Sequence, residues 1–195
     1  IREYLEMWNR EDSLKKEDWK HRIDAIEAFE PYITPIHHYI YDNIFISDVS
    51  EIIGAIDYCY DLVILIDVLE HIDKSKGLQL LGSLVENKAR AVLISFPAHF
   101  VKQRDLFGNP YEIHRAEWRK ADFRQFGPCS TIYLEDKLIC LIGGNAVKIW
   151  NQYKRRRQRR RLRKKYPLLV GIYRIAHAPL RLLRNGKKCI LDLLG

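Results

Sequence analysis

Along the first 150 positions the apolar residues switch repeatedly between helical and strand-like spacing. In residues 1–9, Tyr4, Leu5 and Trp8 recur at helical intervals, which predicts the end of a helix. Residues 22–27 (RIDAIE) read as a short strand. Pro31 can open a helix at its first position, and Tyr32, Ile33, Ile36, Tyr39 and Ile40 fill one face of it. Residues 43–47 (NIFIS) form a second strand, followed by a helical stripe of Val49, Ile52, Ile53 and Ile56. Residues 60–66 (YDLVILI) are nearly all apolar, the pattern of a strand covered on both faces. Asp73 or Ser75 is placed to cap a helix bearing Leu78, Leu81, Leu84 and Val85. Residues 89–95 (ARAVLIS) repeat the buried-strand pattern, and a helical segment with Trp118 and Phe123 stops at Gly127. Residues 130–134 and 138–142, joined by Glu135-Asp136-Lys137, predict a β-hairpin. Strands alternating with helices predict an α/β domain with a mostly parallel sheet, to which the hairpin adds an antiparallel edge. Gly143-Gly144-Asn145 sets a boundary between a domain at 1–144 and a tail at 145–195.

Charge changes this picture, because the net of +8 hides two regions of opposite sign. Residues 151–195 hold 15 of the 33 Lys+Arg and one acid, Asp192, a net of +14, so residues 1–150 carry −6. Ten of the twelve residues at 154–165 (KRRRQRRRLRKK) are basic. An acidic domain with a basic appendage results. Gly 10 and Pro 7 exclude collagen-like and low-complexity classes. No apolar run approaches the roughly 20 residues of a membrane-spanning helix. The four cysteines, Cys59, Cys129, Cys140 and Cys189, are far apart and read as reduced thiols of a cytoplasmic protein.

The chemistry sits where strands end. In open parallel sheets, ligands bind beyond the C-terminal ends of the strands. Glu27, Asp48 and Asp67 occupy three successive such ends. A carboxylate after the second strand of the fold is placed to accept both hydroxyls of a ribose, and one after the third to accept from an adenine amino group. A single strand-end carboxylate more often caps the helix that follows it, so the regular series counts for more than any one member.

The run Y-D-L-V-I-L-I-D-V-L-E-H ending at His71 resembles the fourth motif of class I S-adenosylmethionine-dependent methyltransferases. Residues 22–27 resemble their second motif, Ile46-Ser47-Asp48 their third, and AVLISFP at 91–97 their fifth strand. The segment G-N-P-Y-E-I-H-R at 108–115, with Trp118, is similar to a segment of one branch of that superfamily. The resemblance covers about residues 1–143 and implies a Rossmann-like fold. It implies S-adenosylmethionine as cofactor, with Glu27 on the ribose, Asp48 on the adenine, Val49 or Phe29 on the adenine face, and Asp67 at the amino-acid end. On the acceptor side it implies His71 and His114 as catalytic candidates, with Glu70, Tyr111, Glu112 and Arg115 around the substrate. Methyl transfer is an in-line displacement that needs alignment more than strong acid–base groups.

The glycine-rich first motif of the family is absent, and the chain opens on Ile1. The expectation is a sheet lacking its first strand, cut through the cofactor site. The longer parent is then the enzyme, and these residues alone are inactive. No metal site is expected: His37-His38 point about 100° apart on a helix and have no acidic partner at obvious spacing.

In the tail, the basic run precedes an apolar stripe of Leu168, Leu169, Ile172, Ile175, Leu180 and Leu183, interspersed with Arg174, Arg181 and Arg184. This is the make-up of an interfacial helix, so an anionic membrane surface is the expected partner of 154–184, ahead of nucleic acid, placing the protein at the membrane periphery. Two functions remain: methyl transfer to an unidentified acceptor, or a non-catalytic methyltransferase-like protein attached by its basic tail to a membrane or nucleic acid.

Overall fold

A computed structural model of the chain describes residues 2–7, 15–106 and 108–165. Ile1, Trp8, Cys189 and the apolar stripe from Leu168 to Leu183 lie outside them. The chain divides into two compact units, at Val147 and Lys148.

Among the described residues, the first unit holds six strands in two sheets. Strands β1 (Asp24–Glu27) and β2 (Asn43–Ile46) pair in parallel, with Glu27 opposite Ile46. Strands β3 (Val63–Ile66), β4 (Val92–Pro97), β5 (Ser130–Leu134) and β6 (Lys137–Ile142) form the second sheet in the order β3-β4-β6-β5. There β3 and β4 are parallel, whereas β6 runs antiparallel to both β4 and β5. The expected mostly parallel sheet is thus evenly mixed, because the hairpin contributes two of the four strand pairings. Its turn is shorter than expected, with Lys137 already in β6 and Glu135 at φ 55°.

Helices between the strands supply the core. Helix α1 (Pro35–Ile40) is preceded by a separate 3₁₀ turn at Glu30–Tyr32, so the helix expected from Pro31 is broken in two. The cause is Pro35, which lacks an amide hydrogen and pushes Thr34 into extended backbone at ψ 165°. Helix α2 (Val49–Ile52) is one turn long, and α3 (Lys74–Ser83) continues into a π-helical turn at Leu84–Lys88. Leu80, Leu81 and Leu84 of this stretch are fully packed against Leu65, Val92, Ile94 and Phe96. Phe123, on a 3₁₀ helix at Lys120–Phe126, lies between Phe96 and Trp118 at ring distances of 5.4 and 5.6 Å. Gly127 ends that helix at φ 90°, a conformation that favours glycine.

Strand β3 does not match the expectation of burial on both faces. Leu65 is buried, but Ile66 is 56% exposed. The covering helices pack on one face, and the other face of β3, β4 and β6 carries an open groove of about 220 Å³ lined by Ile66, Leu93, Leu134 and Ile139. Farther along that face Ala146, at the start of helix α4 (Ala146–Lys165), packs with Ala91 and Leu141.

The second unit is described by the remainder of α4. Trp150 stacks on Tyr153 at 5.4 Å, and the described basic side chains from Lys154 to Arg161 are all exposed. Among the described residues no helix is long and apolar enough to cross a membrane.

Candidate functional site

The sharpest local feature is the turn after β3. Asp67 has φ 54°, in the left-handed region that Asp tolerates better than most residues. Its amide donates to the Ser95 carbonyl at 3.0 Å, and the chain then enters a 3₁₀ turn at Leu69–His71. That turn is pinned from outside. The Trp118 indole donates to the Leu69 carbonyl at 2.7 Å, and the Arg115 and Ala116 amides donate to the Glu70 carbonyl at 2.7 and 3.1 Å. Trp118 is itself seated on Gly77, where an added Cβ would stand 2.5 Å from the indole ring. The backbone of Arg115 is therefore engaged with this turn.

Three groups converge here from two distant segments. Glu70 is buried at 3% exposure, and ligand atoms of Glu70, His71 and His114 lie within 4.8 Å of one another. The rings of His71 and His114 meet edge to face at 4.8 Å. Nδ1 of His114 is hydrogen-bonded to the Val101 carbonyl. Asp67 Oδ1, Glu70 Oε2 and His71 Nδ1 are buried without a hydrogen-bond partner among the described residues. A small cavity of about 10 Å³ borders Glu70, His114, Phe96, Phe100 and Trp118, room for about one water-sized occupant.

Electrostatics follow from this burial. Desolvation pushes the Glu70 carboxyl from its ordinary 4.5 up to about 7, and the negative charge of Asp67 adds to the effect. Burial also holds the His71 imidazole below its ordinary value; His114 beside it acts in the same sense, against hydrogen bonding to the Ile113 backbone. Lys137, at the start of β6, pairs with the Asp67 carboxylate, and that bond raises the lysine. The sequence pattern had no signal for Lys137, because only the β6–β4 pairing carries it to the end of β3.

The other predicted residues are placed as follows. Glu27 Oε1 accepts from the Phe29 amide at 2.8 Å, and Asp48 Oδ1 accepts from the Ser50 amide and hydroxyl at 2.8 and 2.7 Å. Asp48 thus caps α2. Val49 packs against the hydrophobic core, and Phe29 meets Tyr32 edge to face at 5.1 Å. The Glu112 carboxylate accepts from Tyr32 Oη at 3.2 Å and Gln103 Nε2 at 3.3 Å, so it locks the loop that carries it. Buried Asn109 accepts from the Tyr111 amide at 2.9 Å, and Tyr111 itself is exposed. His37 Nδ1 accepts from the Thr34 amide at 2.9 Å, a local capping role.

No family model matches the sequence, and no curated protein matches it. Solved structures give weak likenesses. An O-methyltransferase family protein from Burkholderia thailandensis aligns with a TM-score of 0.45 and 13% identity over 65% of this chain and 44% of that one. Monomeric WbdD gives 0.45 and 17% over 63% and 30%, respectively. A chain of the Pnkp1/Rnl/Hen1 RNA repair complex gives 0.40 and 15% over 65% and 32%. The matches span less than half the length of each of these chains.

Proposed function

We propose that this chain is part of a class I methyltransferase that moves a methyl group from S-adenosylmethionine to an acceptor. The observation that carries the reading is the series of carboxylates at the C-terminal ends of β1, β2 and β3, followed by the strained Asp67 turn bearing Glu70 and His71. The cofactor would supply an electrophilic methyl on sulfur.

The side chains fit one half of that cofactor. Glu27 and Asp48 are each oriented through one oxygen by a neighbouring amide, as rigid hydrogen-bond acceptors for a ribose and an adenine should be. Asp67 Oδ1, buried and unpartnered, suits an ammonium or a hydroxyl. Among the described residues, no glycine-rich turn follows β1, β2, β3 or β4 to cradle the methionine portion. Glu70, His71 and His114 would line the acceptor side. Glu70, held near neutral pH, can take or give a proton at an acceptor hydroxyl.

The test is calorimetry with S-adenosylhomocysteine on the longer parent protein. Glu27→Ala should weaken binding by roughly 1–3 kcal/mol, since two ribose hydroxyls lose their acceptor. Equal affinity would make Glu27 a turn-forming acid only, and no binding by the unaltered protein would sink the reading.

A second reading concerns attachment. The exposed arginines of α4 favour contact with an anionic membrane, each basic residue contributing about 1 kcal/mol near the surface. Ala146 is buried, so the test leaves the chain at full length. Replacing Arg155, Arg156, Arg157, Arg159, Arg160 and Arg161 by Gln should abolish salt-sensitive co-sedimentation with anionic vesicles. Retention of RNA but not vesicles by the unaltered chain would point to nucleic acid.

A further inference from the structure

We propose that Glu70, His71 and His114 form a binding site for one divalent first-row transition-metal ion. The inference uses residues from the acceptor side of the methyltransferase reading, but it stands without that reading.

The donor set is one carboxylate and two imidazoles, all with ligand atoms inside 4.8 Å. A carboxylate with two imidazoles suits Zn²⁺, Fe²⁺ or Co²⁺, and leaves coordination positions open for water or substrate. Each side chain presents a usable atom. Glu70 Oε2 and His71 Nδ1 are buried and lack a hydrogen-bond partner among the described residues. Buried polar atoms are almost always paired, so these two call for a partner, a water or an ion. His114 is turned to suit: its Nδ1 faces the Val101 carbonyl, which fixes that nitrogen as the N–H donor and leaves Nε2 as the lone-pair atom. A backbone carbonyl on the far nitrogen is the usual support of a metal-bound histidine.

The surroundings agree in size and rigidity. The cavity of about 10 Å³ beside Glu70 and His114 accommodates one small occupant. Two backbone amides hold the Glu70 carbonyl, and the Trp118 indole holds that of Leu69, so the turn bearing two ligands is fixed. In a tetrahedral site ligands about 2.1 Å from the ion stand about 3.4 Å apart, so the side chains, now within 4.8 Å, must close by up to about 1.4 Å through rotation. His37 and His38 make a useful contrast. The former is engaged in capping α1, and neither belongs to a group of three ligating side chains.

The experiment is titration of the full chain with Co²⁺, followed by its visible absorption, and then displacement by Zn²⁺ monitored calorimetrically. One ion per chain is expected, with affinity lowered about tenfold or more in His114→Ala and in Glu70→Gln, and unchanged in His37→Ala/His38→Ala. His114 sits in a partly exposed loop, so its variant keeps the test intact even if the Glu70 variant does not fold. Absence of binding by the unaltered chain, or equal affinity in His114→Ala, would overturn the proposal. Neither outcome depends on whether S-adenosylhomocysteine binds.

Discussion

The two sheets of the first unit are held together by different physics. In β3-β4-β6-β5 the inner strand β4 buries Val92, Ile94 and Phe96 almost completely beneath α3 and Phe123. In β1–β2 no residue is fully buried. Ile26 and Phe45 pack against the same core only partly buried, and polar cross-links add to that thin layer. Asp24 accepts from Tyr60 Oη at 2.6 Å and Asn43 Nδ2 at 2.9 Å, and pairs with Arg22 at 2.8 Å. Asp42 accepts from buried Arg2 at 2.6 Å and from the Ile23 amide at 2.7 Å. Arg2 also donates to the Ile40 carbonyl at 2.8 Å and lies 4.5 Å from the Trp19 ring. Two strands alone bury too little apolar surface to be stable in water. Where apolar layers are thin, directional bonds to a few charged groups set the geometry instead.

The largest effect should come from the apolar side of this contrast. Phe123→Ala removes a ring packed between Phe96 and Trp118 and should cost about 3–5 kcal/mol in urea unfolding. A loss below about 1 kcal/mol would mean that the four-stranded sheet does not depend on that layer.

Glu70 tests the polar exception inside the apolar region. Its raised value means that the metal-free folded chain binds more protons than the unfolded one between pH 4.5 and about 7. Its contribution is therefore fully present below pH 4.5 and is lost as pH rises through about 7, by roughly 3 kcal/mol. Glu70→Gln should flatten that stretch of the stability–pH curve, and an unchanged slope would assign it to other groups.

Asp24→Ala should cost roughly 1–3 kcal/mol by leaving Tyr60 and Asn43 without their acceptor. Hydrogen exchange should speed up at the amides of Asp24–Glu27 and stay unchanged across Val92–Pro97. Uniform acceleration in both sheets would show that the two regions open as one.

The gentlest probe is acid. Burial pushes the Glu6 carboxyl up, but bonds from the His21 and Lys20 amides and the His21 ring outweigh it, leaving it below its ordinary value. Asp42 is lowered likewise, its burial outweighed by the Ile23 amide and Arg2. Groups of this kind stabilise the fold above their unfolded values of 4.5 and 3.8, and that stabilisation fades as pH falls through the folded ones. Acid should thus loosen β1–β2 before β3-β4-β6-β5, visible as earlier exchange at Ala25 and Ile26 than at Ile94.

Much of the fold was legible in the chain because its signals are local. Apolar runs marked all six strands within a few residues, Gly127 marked a helix end, and the hairpin showed in its spacing. The Asp67–His71 turn was legible as a pattern of residue types behind a buried strand. The break before Pro35 was also present in the sequence, but a stripe of apolar residues that spans two elements disguised it.

What only the tertiary structure decided is which distant residues meet. Separation of the strands into two sheets depends on pairings that no local spacing encodes, and so does the exposed face of Ile66. The sequence weighed only His37-His38 as a metal pair, and placed Glu70 with His71 in one segment and His114 in another. Their convergence required the loop at 108–115 to fold back onto the β3 turn, secured by the Arg115 and Ala116 amides. Lys137 reached Asp67 through strand register in the same way. Secondary structure follows from short-range sterics and periodicity, whereas a site assembled from separate segments exists only once long-range burial has fixed their registers.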